Sequence, residues 1–84
     1  MLPVEWKKEA IKELDKIDFL IAQRIVKKVN WLSKNFDDYT PETLHGTLKG
    51  TYKLRVGNYR IIYTVSQNKI IILSVGHRSE VYKA

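Results

Sequence analysis

The chain divides into two halves by the spacing of its apolar residues. From Trp6 to about Phe36 the pattern repeats every three or four residues. Ala10, Ile11, Leu14 and Ile17 mark one stripe, with Lys7, Lys8, Lys12, Glu13 and Lys16 outside it. Ile21, Ile25, Val29 and Leu32 mark a second stripe. Asp18 stands where a cap belongs, so the spacing predicts two amphipathic helices with a tight connection at Lys16–Asp18. Residues 35–43, with two aspartates and Pro41, read as a loop.

Beyond that loop the period changes to two. Tyr52, Leu54 and Val56 alternate with Lys53, Arg55 and Gly57. Gly57-Asn58 and Gln67-Asn68 are turn signals. Between them, Tyr59–Val65 is rich in β-branched and aromatic residues. Lys69–Val75 is almost continuously apolar, as expected of an internal strand. Leu2–Glu5 reads as a short strand that Pro3 confines to an edge. Ser79–Ala84 receives no assignment. The expected architecture is α+β, a single domain over residues 1–84. A two-helix N-terminal hairpin packs on one face of a small, mainly antiparallel sheet in the order β-α-α-β-β-β.

Composition changes this picture in two ways. Fifteen Lys and Arg against nine Asp and Glu give a net charge of +6, which points to nucleic acid, an acidic protein, or both as partners. At 84 residues the core is small, so a partner that covers apolar surface would add stability. With no cysteine, disulfides and thiolate zinc sites are excluded, and the composition fits a reducing cytoplasm. No run is long and apolar enough for a membrane span, and the N-terminal residues do not read as a signal peptide.

The alternation carries the candidate chemistry. If Tyr52, Leu54 and Val56 face the helices, Lys53 and Arg55 project from the opposite face. Arg60 opens the next strand and Arg78 follows the last, so four cations are expected on one open sheet surface. Such a surface suits a phosphodiester backbone and the charge that develops in phosphoryl transfer. The same pattern also describes an ordinary solvated face. No Ser-His-Asp set, glycine-rich phosphate loop or metal-ligand cluster is present. His77, beside Arg78, is a candidate acid–base group, whereas His45 reads as structural. Tyr82 is placed to stack on an unpaired base, or alternatively to pack on the sheet. Trp6, Phe19 and Trp31 read as core or partner-interface residues.

Three segments, in order, resemble one known family. Leu44-His45-Gly46-Thr47-Leu48-Lys49-Gly50-Thr51-Tyr52-Lys53-Leu54-Arg55, Gly57-Asn58-Tyr59-Arg60-Ile61-Ile62-Tyr63 and Val75-Gly76-His77-Arg78-Ser79-Glu80-Val81-Tyr82 look like the sheet segments of the RelE/ParE toxin superfamily. Ala10-Ile11-Lys12-Glu13-Leu14-Asp15-Lys16 fits its first helix. The resemblance implies the toxin of a type II toxin–antitoxin system, a metal-independent endoribonuclease of the RelE type. Such an enzyme cuts messenger RNA in the ribosomal A site, with the RNA 2′-hydroxyl as nucleophile, and so inhibits translation. By the same resemblance, Lys53 helps deprotonate that hydroxyl, Arg55 and Arg60 stabilise the transition state, Arg78 or His77 acts at the leaving oxygen, and Tyr82 orients a base. The implied partners are an acidic RelB-like antitoxin, the ribosome with its message, and operator DNA for the toxin–antitoxin complex. Two alternatives remain open: a ParE-like poison of DNA gyrase with the same fold, and an inactive module that only binds antitoxin.

Overall fold

A computed structural model describes residues 1–43 and 50–77. The described elements are β1 (Val4–Trp6), α1 (Lys8–Asp15), α2 (Phe19–Lys34), a single 3₁₀ turn (Phe36–Asp38), β2 (Glu42–Thr43), β3 (Thr51–Val56), β4 (Tyr59–Ser66) and β5 (Lys69–His77). They form two helices against one five-stranded sheet of order β1-β5-β4-β3-β2.

The helical hairpin follows the expected punctuation. The chain reverses at Lys16 and Ile17, whose N–H groups donate back to Glu13 and Leu14. The Asp18 carboxylate accepts from the Leu20 N–H at 3.2 Å and satisfies one open donor of the first turn of α2. At the other end, the Asn35 side-chain amide donates to the Trp31 carbonyl at 2.9 Å. The second stripe is correct: Ile25, Val29 and Leu32 are fully buried and Ile21 packs beside them. The first stripe needs correction at Ile11, which is 45% exposed. Successive helical residues lie about 100° apart, so Ala10, Leu14 and Ile17 share a narrow inward face that leaves Ile11 to one side. Glu13 lies on the inward side of that face. Its carboxylate accepts from the Val75 N–H and the Ser74 hydroxyl, both at 3.0 Å.

Three strands form the expected meander, β3–β4–β5, with antiparallel ladders. Gln67 and Asn68 both have positive φ, as a tight β4–β5 turn requires. β1 sits at an edge and pairs in parallel with β5. It begins later than the sequence pattern suggests, because the Leu2 N–H donates instead to Ser33 at the end of α2. Pro3 has no N–H, but its carbonyl still accepts from Ile70 at 2.9 Å. The opposite edge is the second correction. Glu42 and Thr43, expected in a loop, form β2 and pair with Lys53 and Tyr52 of β3. Two residues carry no readable period, so only the partner strand defines this element.

The core lies between the helices and one sheet face. Leu54, Val56, Ile61, Tyr63, Ile70, Ile72 and Val75 meet Ala10, Ile25, Val29 and Leu32 there. Each fully buried aliphatic side chain contributes about 1.5–3 kcal/mol. Along β5, Ile62 opposes Ser74 while Tyr63 opposes Ile72, so Leu73 is an extra, bulged residue. The bulge resets the alternation of β5, placing Ile70, Ile72 and Val75 all in the core.

Candidate functional site: a cation cluster on the sheet face away from the helices

With Leu54 and Val56 committed to the core, Lys53 and Arg55 project from the sheet's other face. Arg55 lies directly across the ladder from Arg60, and Lys53 across from Ile62, which is buried outside the main core. On its far flank Arg60 opposes Gly76, which has no side chain. The fold thus places three cations on adjacent positions of β3 and β4. Like charges directly opposed across a ladder repel, so the arrangement calls for a counter-charge.

Glu42 supplies it. Its Oε2 lies 3.1 Å from the Lys53 ammonium and 3.2 Å from an Arg55 guanidinium nitrogen. The pairing of β2 with β3 sets Glu42 opposite Lys53 and makes this contact possible. The Lys53 side chain is only 11% exposed, whereas that of Arg55 is 59% exposed. A lysine this enclosed is costly without a partner, which is the structural reason for the carboxylate. The hydrogen bond from Lys53, helped by the charges of Arg55, Lys53 and Arg60, holds the Glu42 carboxyl below the usual glutamate range against a partial burial penalty. Close by, Tyr39 is pushed above the usual phenol value by burial and then by the Glu42 charge.

The remaining expected site residues fall elsewhere. His77 opposes Tyr59 in the ladder, with the two rings edge to face at 5.6 Å. Together with Tyr59, Glu13, Ile17 and Asp18 it lines a pocket on the helix-bearing side. A strict two-residue alternation from Ile72 would put His77 with the cations, and the bulge at Leu73 moves it to the other face. Arg78, Tyr82 and His45 lie outside the described residues. Of the aromatics, Trp6 packs against the core while Phe19 is 70% exposed. Glu42 is the residue that sequence reasoning missed. Thr-Pro-Glu-Thr carries only a turn signal, and no local pattern ties it to Lys53 eleven positions later.

Among the described residues no three His, Asp or Glu side chains gather as a metal site, and no helix is long and apolar enough to cross a membrane. Three cations around one ionised carboxylate on the sheet face away from the helices can bind an anionic ester, hold charge on its oxygens and accept a proton.

Residues 4–82 match the model of a family described as the ParE toxin of the type II toxin–antitoxin system parDE. A RelE-like toxin protein of Escherichia coli is 33% identical over 85 residues, covering 94% of this chain and 87% of that protein. The fold is shared with the toxin–antitoxin complex RelBE2 from Mycobacterium tuberculosis, at a TM-score of 0.79, 28% identity, and coverage of 92% of this chain and 98% of that one. It is shared as well with the isolated Escherichia coli RelE toxin, at a TM-score of 0.74, 26% identity, and coverage of 98% and 92%. A family match over nearly the whole length, joined to a matching α+β architecture, means that this chain belongs to the RelE/ParE superfamily of type II toxin–antitoxin toxins.

Proposed function

We propose that this toxin is a ribosome-dependent endoribonuclease that cuts messenger RNA in the A site. The observation that carries the reading is the convergence of Lys53, Arg55 and Arg60 around Glu42 on the sheet face away from the helices. In the proposed reaction the 2′-oxygen of the message attacks the adjacent phosphorus, and the bond from phosphorus to the 5′-oxygen breaks. The products are a 2′,3′-cyclic phosphate and a 5′-hydroxyl. The 2′-hydroxyl proton passes to the Lys53–Glu42 pair, in which Glu42 is the ionised acceptor and Lys53 the charge that steers it. Arg55 and Arg60 hold the two charged oxygens of the five-coordinate phosphorus. Arg78 stabilises the charge on the departing oxygen, which takes its proton from water, or His77 protonates that oxygen directly, and Tyr82 stacks on a base. His77 is turned toward the helices, away from the cations, and Arg78 lies outside the described residues. The chemistry takes its nucleophile from the RNA itself and uses no metal or cofactor.

The partners that fit are an acidic RelB-like antitoxin, the ribosome with its message, and operator DNA for the toxin–antitoxin complex, in the cytoplasm. The structural relative RelBE2 is itself a toxin–antitoxin complex. Because the matching family model is named for ParE, DNA gyrase is the second target to test.

The test is a toeprint of a defined message in a purified translation system. A new ribosome-dependent end within the A-site codon is expected. Arg60→Ala should slow its appearance about 10²–10³-fold, the usual cost of removing one transition-state donor. An uncut message with normal translation, together with inhibited supercoiling by gyrase, would replace this reading with the gyrase one.

A further inference from the structure

The outer surface of α2 carries a second cation cluster. Arg24, Lys27, Lys28 and Trp31 stand at three- and four-residue steps and so share one stripe of the helix, offset by one position from the core stripe. Together with Arg55, Val56 and Gly57 they line a groove of about 430 Å³ between α2 and the β3–β4 turn. Gly57 takes a positive φ in that turn, and a side chain there would come within 3.9 Å of the Arg24 guanidinium. No acidic residue is among the described residues that line the groove. The Lys28 ammonium sits 4.1 Å from the centre of the Trp31 ring, and Tyr39 packs edge-on to the same ring. A base would have to displace Lys28 to stack there, so the groove offers charge rather than a stacking platform.

Arg55 belongs to both clusters. It binds Glu42 on the sheet face and also lines the groove on α2. The two sites are therefore one continuous basic track around the β3–β4 turn. We infer that this track binds the phosphate backbone of RNA flanking the cleaved codon, through Arg24, Lys27 and Lys28, without reading its sequence. The inference rests on the proposed RNA-cleaving site, since Arg55 is where an RNA strand in that site would pass to α2. Contacts of this kind position a strand and make binding salt-dependent.

The experiment uses a fluorescein-labelled 12-nucleotide RNA with 2′-O-methyl groups, which lacks the nucleophile and stays intact. Its affinity is followed by anisotropy across a salt series, for the wild type and for R24Q/K27Q/K28Q. Three lost backbone contacts should reduce the slope of log affinity against log salt by about 2, with affinity falling roughly tenfold or more at low salt. Should the triple variant unfold, R24Q/K27Q, which alters two exposed side chains, should reduce the slope by about 1.4. An unchanged slope would overturn the inference. So would tighter binding of duplex DNA, or of an acidic peptide of Asp and Glu, than of the RNA when that binding is lost in the variant. An unchanged slope beside a normal A-site cut removes only the groove. Groove-dependent RNA binding with no cut supports the groove and removes only the nuclease reading.

Discussion

At the scale of single residues, Glu42 decides how the cation face behaves. Without it, Lys53 would be an enclosed ammonium beside two guanidinium groups. With it, the cluster is held together in the free protein and still carries excess positive charge. The carboxyl is held below the ordinary glutamate value of 4.5 by Lys53 first and by the arginine charges after that. A lowered folded-state value means that Glu42 adds stability above the unfolded value. That contribution disappears as the pH falls through the lower, folded value. The wild type should therefore lose stability below about pH 4.5, and Glu42→Gln should flatten part of that loss. Glu5, lowered by its hydrogen bonds to Lys69 and Lys7, keeps the rest of the slope in the variant. Urea midpoints measured from neutral to acid pH check this, and identical profiles for the two proteins would show that the pair contributes nothing to folding.

At the scale of elements, each helix and strand is positioned by a few named contacts. α2 begins at Asp18 because its carboxylate satisfies the Leu20 N–H. Losing such a cap costs about 1 kcal/mol. In a domain of this size Asp18→Ala should therefore lower the melting temperature by about 4–8 °C, read by circular dichroism. A melt shifted by less than about 1 °C would mean that tertiary packing alone fixes the start of α2. Both helices, the tight connection between them and the three-stranded meander were legible from apolar spacing and turn residues, because those signals act within a few positions. β2 was not, since a two-residue strand is defined by the ladder it joins. Nor was the inward side of α1. Glu13 reads as a solvent residue until β5 offers it the Val75 N–H.

The whole molecule presents two different faces. One side of the sheet is consumed by the helices and the core, and the other carries the cations. In the proposed reaction the net charge of +6 would favour encounter with RNA, and the local cluster would supply electrostatic stabilisation. Its ionised carboxylate is a weak base, so the proposed reaction must lean on positioning: the 2′-oxygen, phosphorus and leaving oxygen have to be held in line. A codon fixed in the ribosome meets that requirement and a free strand does not. The same message without ribosomes should thus be cut at least about 10³-fold more slowly, within the range that orientation alone commands. Equal rates on free and ribosome-bound message would show that the protein organises its substrate unaided.

By itself the sequence determined the α+β class, the helical hairpin, the meander, and the projection of Lys53 and Arg55 away from the core. All of these follow from local periodicity and from the need to bury apolar side chains. Only the tertiary structure decided which charged groups meet. Glu42 reaches Lys53 through an edge pairing that spans a loop, and a single bulged residue, Leu73, turns His77 to the opposite face. Both depend on register between distant strands, where a shift of one residue reverses a side chain's direction while leaving local composition unchanged.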